Sequence, residues 1–201
     1  MKKNLLIILF LTLVGKSFSQ EFKIPKIEWE GKTETENNFV ELLKLKDKSS
    51  LIIKIGYSSY WSKGQNSEFI VYLNNGKVKR YVVYQPNSTE LKTKIKRKKI
   101  KKKEYKYYWN HLNNIIEGNK YVIDKSKLNI TKKKGEEEGT MITMSISDGT
   151  NYSFWICQGN NYLAYGSYSP ESFIDGKFSG WKERQKLVDL MNGFEKLTEK
   201  Y

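Results

Sequence analysis

One cysteine and one histidine in 201 residues remove several classes of chemistry at once. A lone thiol, Cys157, excludes an internal disulfide framework and any thiolate metal cluster. A lone imidazole, His111, excludes the multi-histidine zinc and copper sites. Arginine is scarce as well, three residues against 33 lysines. Lysine is a point charge without the planar fork that reads phosphates and bases bidentately, so specific nucleic-acid recognition is not expected. There is no Gly-x-Ser-x-Gly elbow, phosphate-cradling glycine loop, His-Glu-x-x-His or Cys-x-x-Cys. Ser179-Gly180-Trp181-Lys182 matches Ser-x-x-Lys, but it opens a helical pattern, where a serine serves as N-cap. No catalytic, metal or cofactor residue is therefore assigned. Past the first 14 residues, no apolar run approaches the ~20 residues needed to cross a membrane.

What is present begins at the N-terminus. Lys2 and Lys3 precede an apolar run from Leu5 to Val14, and Ser17 and Ser19 put small residues at −3 and −1 of a cut before Gln20. This is the layout of a secretory signal peptide over 1–19, leaving 20–201 as one exported domain, periplasmic or extracellular. Cys157 lies in the apolar stretch Ser153–Cys157; in an oxidising compartment an unpaired thiol is either buried or available to pair between chains, and burial is the expectation.

The basicity is local. Removing 1–19 takes three lysines and leaves 33 basic against 22 acidic residues. Ten of the 33 fall in one window, Lys92, Lys94, Lys96, Arg97, Lys98, Lys99, Lys101, Lys102, Lys103 and Lys106, with only Glu104 opposing them. A window of net +9 suits diffuse contact with an anionic lipid, lipopolysaccharide or acidic polysaccharide; a solvated charge run without a partner is the plain alternative.

Periodicity predicts an α+β fold, a mainly antiparallel meander of seven to nine strands covered by two amphipathic helices near 103–117 and 182–198. Phe22 to Trp29 suggests an edge strand bulged at Pro25. Asn38 with Glu41 fits the cap of a short helix. Leu51–Tyr57 reads as a buried strand. Phe69–Leu73 and Lys77–Tyr84 flank Asn74-Asn75-Gly76, where a two-residue Asn-Gly turn would place Leu73 opposite Val78 and Phe69 opposite Val82. Leu91, Thr93 and Ile95 continue with period two, lysines outward. Tyr105, Tyr108, Trp109, Leu112 and Ile115 form a helical stripe ending at Gly118, with His111 one position off it.

In the second half, Lys132–Lys134 and Glu136–Glu138 face each other across Gly135 as a hairpin tip with cross-strand ion pairs. A divalent site on the three glutamates is disfavoured, because their side chains diverge. Asp148-Gly149 and Gly159-Asn160-Asn161 are turns between further strands. Leu187, Leu190, Met191, Phe194 and Leu197 line the last helix, with Gly193 inside it at a cost near ~1 kcal/mol. Superposing Gly76 on Gly149 aligns Val71, Leu73 and Val83 with Met144, Ile146 and Ile156, which allows a duplicated strand–strand–helix unit.

Asp148-Gly149-Thr150, the stretch Tyr165-Gly166-Ser167-Tyr168-Ser169-Pro170-Glu171 and the Glu183-Arg184 helix opening resemble segments of uncharacterised secreted proteins of Bacteroidetes-type bacteria. The resemblance covers roughly the last fifty residues and the leader. It implies export and an α+β fold, and carries no activity.

Three functional readings follow. The leading one is an exported, non-enzymatic protein that binds a partner, either an anionic surface at the lysine window or another protein at the loop holding Tyr57, Tyr60 and Trp61, where aromatics stand among small polar residues. The second is an immunity protein or inhibitor acting on a toxin or enzyme. The third is a hydrolase whose paired carboxylates are separated in sequence.

Overall fold

The computed structural model describes residues 22–29, 31–32, 39–45, 50–135 and 137–200; the expected leader, its cleavage point, Asn38 and Glu136 lie outside them. The fold is α+β. Seven strands form one antiparallel sheet: β1 (Gly31–Lys32), β2 (Leu51–Ser59), β3 (Gly64–Tyr72), β4 (Val78–Pro86), β5 (Lys94–Lys98), β8 (Thr150–Gln158) and β9 (Asn161–Tyr168), in the order β1-β9-β8-β2-β3-β4-β5. Strands β6 (Lys132–Lys134) and β7 (Met141–Thr143) make a separate two-stranded sheet. The helices are α1 (Phe39–Leu42), α2 (Tyr105–Glu117) and α3 (Trp181–Lys200). No helix among the described residues is long and apolar enough to cross a membrane.

β2 is central because its run is apolar on both faces, which only a strand covered on both sides tolerates. Leu51, Ile53 and Ile55 pack with Ile70, Tyr72, Phe154, Ile156 and Leu163 beneath α2 and α3. The stripe predicted for α2 is the buried one: Tyr108, Trp109, Leu112, Ile115 and Ile116. Tyr72 Oη donates to the Tyr108 carbonyl at 3.2 Å and Trp109 Nε1 to the Gly76 carbonyl at 2.9 Å, tying the β3–β4 hairpin to the helix. The opposite face buries Ile52, Phe69, Val71, Tyr81, Val83 and Cys157 beneath residues 39–45. Cys157 is buried, as its apolar surroundings predicted.

Four expectations are corrected. The β3–β4 register is one residue off the predicted one: Tyr72 faces Val78 and Phe69 faces Tyr81. The turn is a three-residue loop in which Gly76, at φ 76°, takes the left-handed position and donates to the Leu73 carbonyl. That extra residue displaces the pairing, as loop length sets hairpin register. Residues 22–29 form no strand; Phe22 instead stacks on Trp109 with centroids 5.5 Å apart. The strand before Asp148-Gly149 pairs with β6 and not with β8, so the duplicated unit is absent. Across the β6–β7 ladder the lysines face Thr143, Ile142 and Met141, so the expected lysine–glutamate pairs do not form along it.

Arg184 is the largest polar side chain in the interior, 1% exposed. Its guanidinium donates to four carbonyls: Nε to Phe173 at 3.0 Å, one terminal nitrogen to Lys127 (3.0 Å) and Ile130 (2.9 Å), the other to Ser179 (2.8 Å). A buried cation unsatisfied by hydrogen bonds would cost several kcal/mol; here peptide dipoles replace its water. Gly193 also acquires a reason. A β-carbon there would lie 2.7 Å from Cε1 and 2.9 Å from Nε2 of His111, so the helix gives up a side chain to seat the imidazole.

Two stability outcomes follow. Arg184→Leu leaves four carbonyls without their donor and should cost about 3 kcal/mol or more in urea unfolding; a loss below about 1 kcal/mol would contradict the clamp. Gly193→Ala, normally worth about 1 kcal/mol in a helix, should instead destabilise, and His111→Ala in the same chain should restore the lost stability.

Candidate functional site

The lysine window forms the end of the sheet. β5 pairs only with β4, with Arg80 opposite Lys98 and Tyr84 opposite Lys94, and is the outermost strand. Lys94, Lys96 and Lys98 alternate onto the side of the long helices, and Ile95 and Arg97 onto the other. Lys92, Lys94, Lys96, Arg97, Lys99, Lys101, Lys102, Lys103 and Lys106 are exposed and Lys98 is half-buried. None of the ten makes an ion pair with a described residue. Glu104, the window's one acid, is turned inward at 7% exposed. Its carboxylate accepts the Lys101 N–H at 2.8 Å and caps the turn Lys102–Glu104 that leads into α2. The outer surface of the run is therefore left basic.

The expected apolar face of this strand is not buried: Leu91 is 62% exposed and precedes β5, and Ile95 is 42% exposed. Neither packed core extends to this edge strand.

The aromatic loop is divided. Tyr60 and Trp61 stand at the β2–β3 turn, 84% and 73% exposed, edge-to-face at 5.2 Å. Trp61 Nε1 donates to Asp148 Oδ1 at 3.0 Å, which anchors the indole without covering it. Tyr57 points the other way, beneath the helices, edge-to-face with its ladder partner Tyr152 at 4.9 Å. Burial, reinforced by Glu195, Tyr152 and Glu171, holds the Tyr57 phenol far above its usual pKa, although its hydroxyl makes no hydrogen bond of good geometry. Burial and then Glu171 raise Tyr152 likewise. Glu171 and Glu195, 24 positions apart, thus both bear on the two phenols, an influence that no local motif announces.

Two further groups take their surroundings from the tertiary fold. Lys54, on the central strand, lies on the face away from the long helices, its ammonium 5.4 Å from the Phe39 centroid and 5.7 Å from that of Trp155. Burial lowers its pKa, opposed by Cys157. His111 borders a cavity of about 530 Å³ between α2 and α3, shared with Asn114, Lys120, Lys186 and Asp189. Lys186 is paired with Glu183 at 3.1 Å, and Asp189 accepts from Gln185 at 2.9 Å. His111 Nε2 is buried without a hydrogen-bond partner. Among the described residues no group of three or more His, Cys, Asp or Glu is placed to hold a metal ion.

No protein-family model matches the chain, and no curated protein matches it significantly.

His111 makes stability acid-sensitive. Burial, then the Lys120 ammonium, push its pKa from 6.5 to about 4. Because the folded value is the lower one, the unfolded chain takes the proton first, so stability is complete above about pH 6.5 and declines as pH falls towards 4. At about 1.4 kcal/mol per unit, the loss is at most about 3.5 kcal/mol. Urea midpoints across this range should fall for the wild type more steeply than for His111→Gln; parallel profiles would contradict the assignment.

Proposed function

We propose that the protein is exported, loses residues 1–19, and acts as a non-enzymatic binding protein that engages an anionic partner through the basic edge formed by β5 and the turn into α2. The carrying observation is the contrast within one short segment: ten basic side chains without ion pairs to described residues, and the one acid folded inward as a cap. Lysines beside an anionic surface contribute about 1 kcal/mol each, falling off over a Debye length of about 8–10 Å. Several acting together suffice for salt-sensitive docking on anionic phospholipid, lipopolysaccharide or acidic polysaccharide. Exposed Leu91 and Ile95 add apolar contact beside the charges, and the Tyr60–Trp61 turn offers a second recognition surface for another protein. The same lysines also discourage edge-to-edge pairing with a second sheet.

Co-sedimentation with anionic liposomes and with an acidic polysaccharide, at low salt and at 0.5 M salt, separates binding from edge protection alone. Wild type should pellet at low salt and be released at high salt. Lys98, Lys99, Lys101, Lys102 and Lys103 together changed to Gln should reduce the low-salt fraction several-fold. Equal behaviour of wild type and variant, or no binding at low salt, leaves the lysines as guards of a bare edge.

A further inference from the structure

A second basic site lies elsewhere in the fold, at the small sheet. Period-two alternation puts Lys132 and Lys134 on one face of β6, and the ladder brings Met141 beside Lys134 on that face. The face borders an open cleft of about 680 Å³ whose other wall is the segment Gly176–Trp181, with Lys177, Phe178 and Trp181 as its main side chains. The wall is held in place from behind. Lys133 pairs by backbone with Phe178, Phe178 packs edge-to-face on Phe173 at 5.2 Å, and Arg184 grips the carbonyls of Phe173 and Ser179.

The polar lining of this cleft is donor-rich. Lys132 and Lys134 have no ion-pair partner among the described residues, and the Trp181 indole N–H makes no hydrogen bond to one. Lys177 is only loosely paired, 4.0 Å from Asp175. Between the ammonium groups lie the apolar surfaces of the half-buried Trp181 and the largely exposed Met141, while Phe178, 4% exposed, backs the wall. The volume is that of a small-ligand site.

We propose that this cleft binds an acidic saccharide, a uronic or sulfated sugar unit, with Lys132, Lys134 and Lys177 on its anionic group and Trp181 and Met141 against its C–H surface. The Lys132 and Lys134 ammoniums and the Trp181 N–H, without acceptors among the described residues, select an anion, and charge-assisted hydrogen bonds are the strong ones. Aromatic and thioether surface beside them suits a ring with an apolar side better than a bare inorganic ion. A polyanion held only by diffuse charge needs no such surface, which sets this site apart from the β5 edge.

Titration calorimetry of the purified protein with oligogalacturonate, a sulfated disaccharide and neutral maltotetraose tests it, using three variants: Lys132→Gln with Lys134→Gln, Trp181→Phe, and the five-lysine β5 variant. The expected result is binding of at least one acidic sugar and not of maltotetraose. The Lys132/Lys134 pair should weaken it about tenfold or more, which corresponds to about 1.4 kcal/mol. Trp181→Phe should weaken it several-fold through the lost N–H, and the β5 variant should bind as wild type. Absence of acidic-sugar binding at low salt, equal binding of maltotetraose, or wild-type affinity in the Lys132/Lys134 variant overturns the proposal. Loss in the β5 variant alone also overturns it, placing the sugar on the edge strand while leaving the reading of that edge intact. Unchanged circular dichroism and urea midpoints show that each variant is folded.

Discussion

The guanidinium of Arg184 joins two irregular stretches of backbone beside the single bridge between Lys133 and Phe178. Its acceptors lie between α2 and β6 (Lys127, Ile130) and between β9 and α3 (Phe173, Ser179). Both connections are largely irregular, and irregular backbone near the interior needs partners for its carbonyls. One arginine supplies four of them and in return receives the dipoles that replace its hydration, with the Phe173 ring 5.7 Å away. Burial lowers its pKa somewhat, but a guanidinium starts high enough to remain charged. The small sheet and the start of α3, and hence the two walls of the cleft at Trp181, are positioned by this arrangement.

At the opposite end of the large sheet the constraint is the reach of the covering layers. α2 and α3 cover one face, and residues 39–45 cover part of the other. β5 lies outside both cores. An uncovered edge strand gains nothing from apolar side chains, tolerates basic side chains on both faces, and is protected by charge from pairing further. Glu104 completes the separation: folded inward as a cap, it orders the turn into α2 while removing the one opposing charge from the surface. Arg80 acts similarly beneath the helices, its guanidinium shared between the Glu68 carboxylate and the Thr198 carbonyl near the end of α3.

Side chains normally read as functional are in several cases structural here. His111 lies against Gly193 and Phe194 (4.6 Å between ring centroids), and its lowered pKa records an uncharged ring packed between two helices. Trp109 and Tyr72 spend their polar atoms on the hairpin and helix backbone. Trp61, by contrast, keeps its indole exposed while anchored to Asp148, a contact spanning 87 residues.

The alternation and helical period of the chain determined by themselves the α+β class, the five long strands, both long helices and the burial of Cys157, because each of these depends on residues close in sequence facing one side. The composition of residues 92–106 likewise announced a basic surface without saying where in the fold it lies. The β3–β4 register escaped because Asn-Asn-Gly serves a two-residue and a three-residue turn equally well, and only packing beneath α2 selects the face that Tyr72 and Phe69 take. Asp148-Gly149 carries a hairpin signal but has no neighbouring strand to fold onto, since β8 is already paired between β2 and β9. The roles of Arg184, Glu104, Lys54 and the cleft at Trp181 belong to the tertiary structure alone. Their partners are backbone carbonyls, a backbone N–H, aromatic faces and a cleft wall brought together from distant segments, and none of these leaves a pattern in the order of side chains.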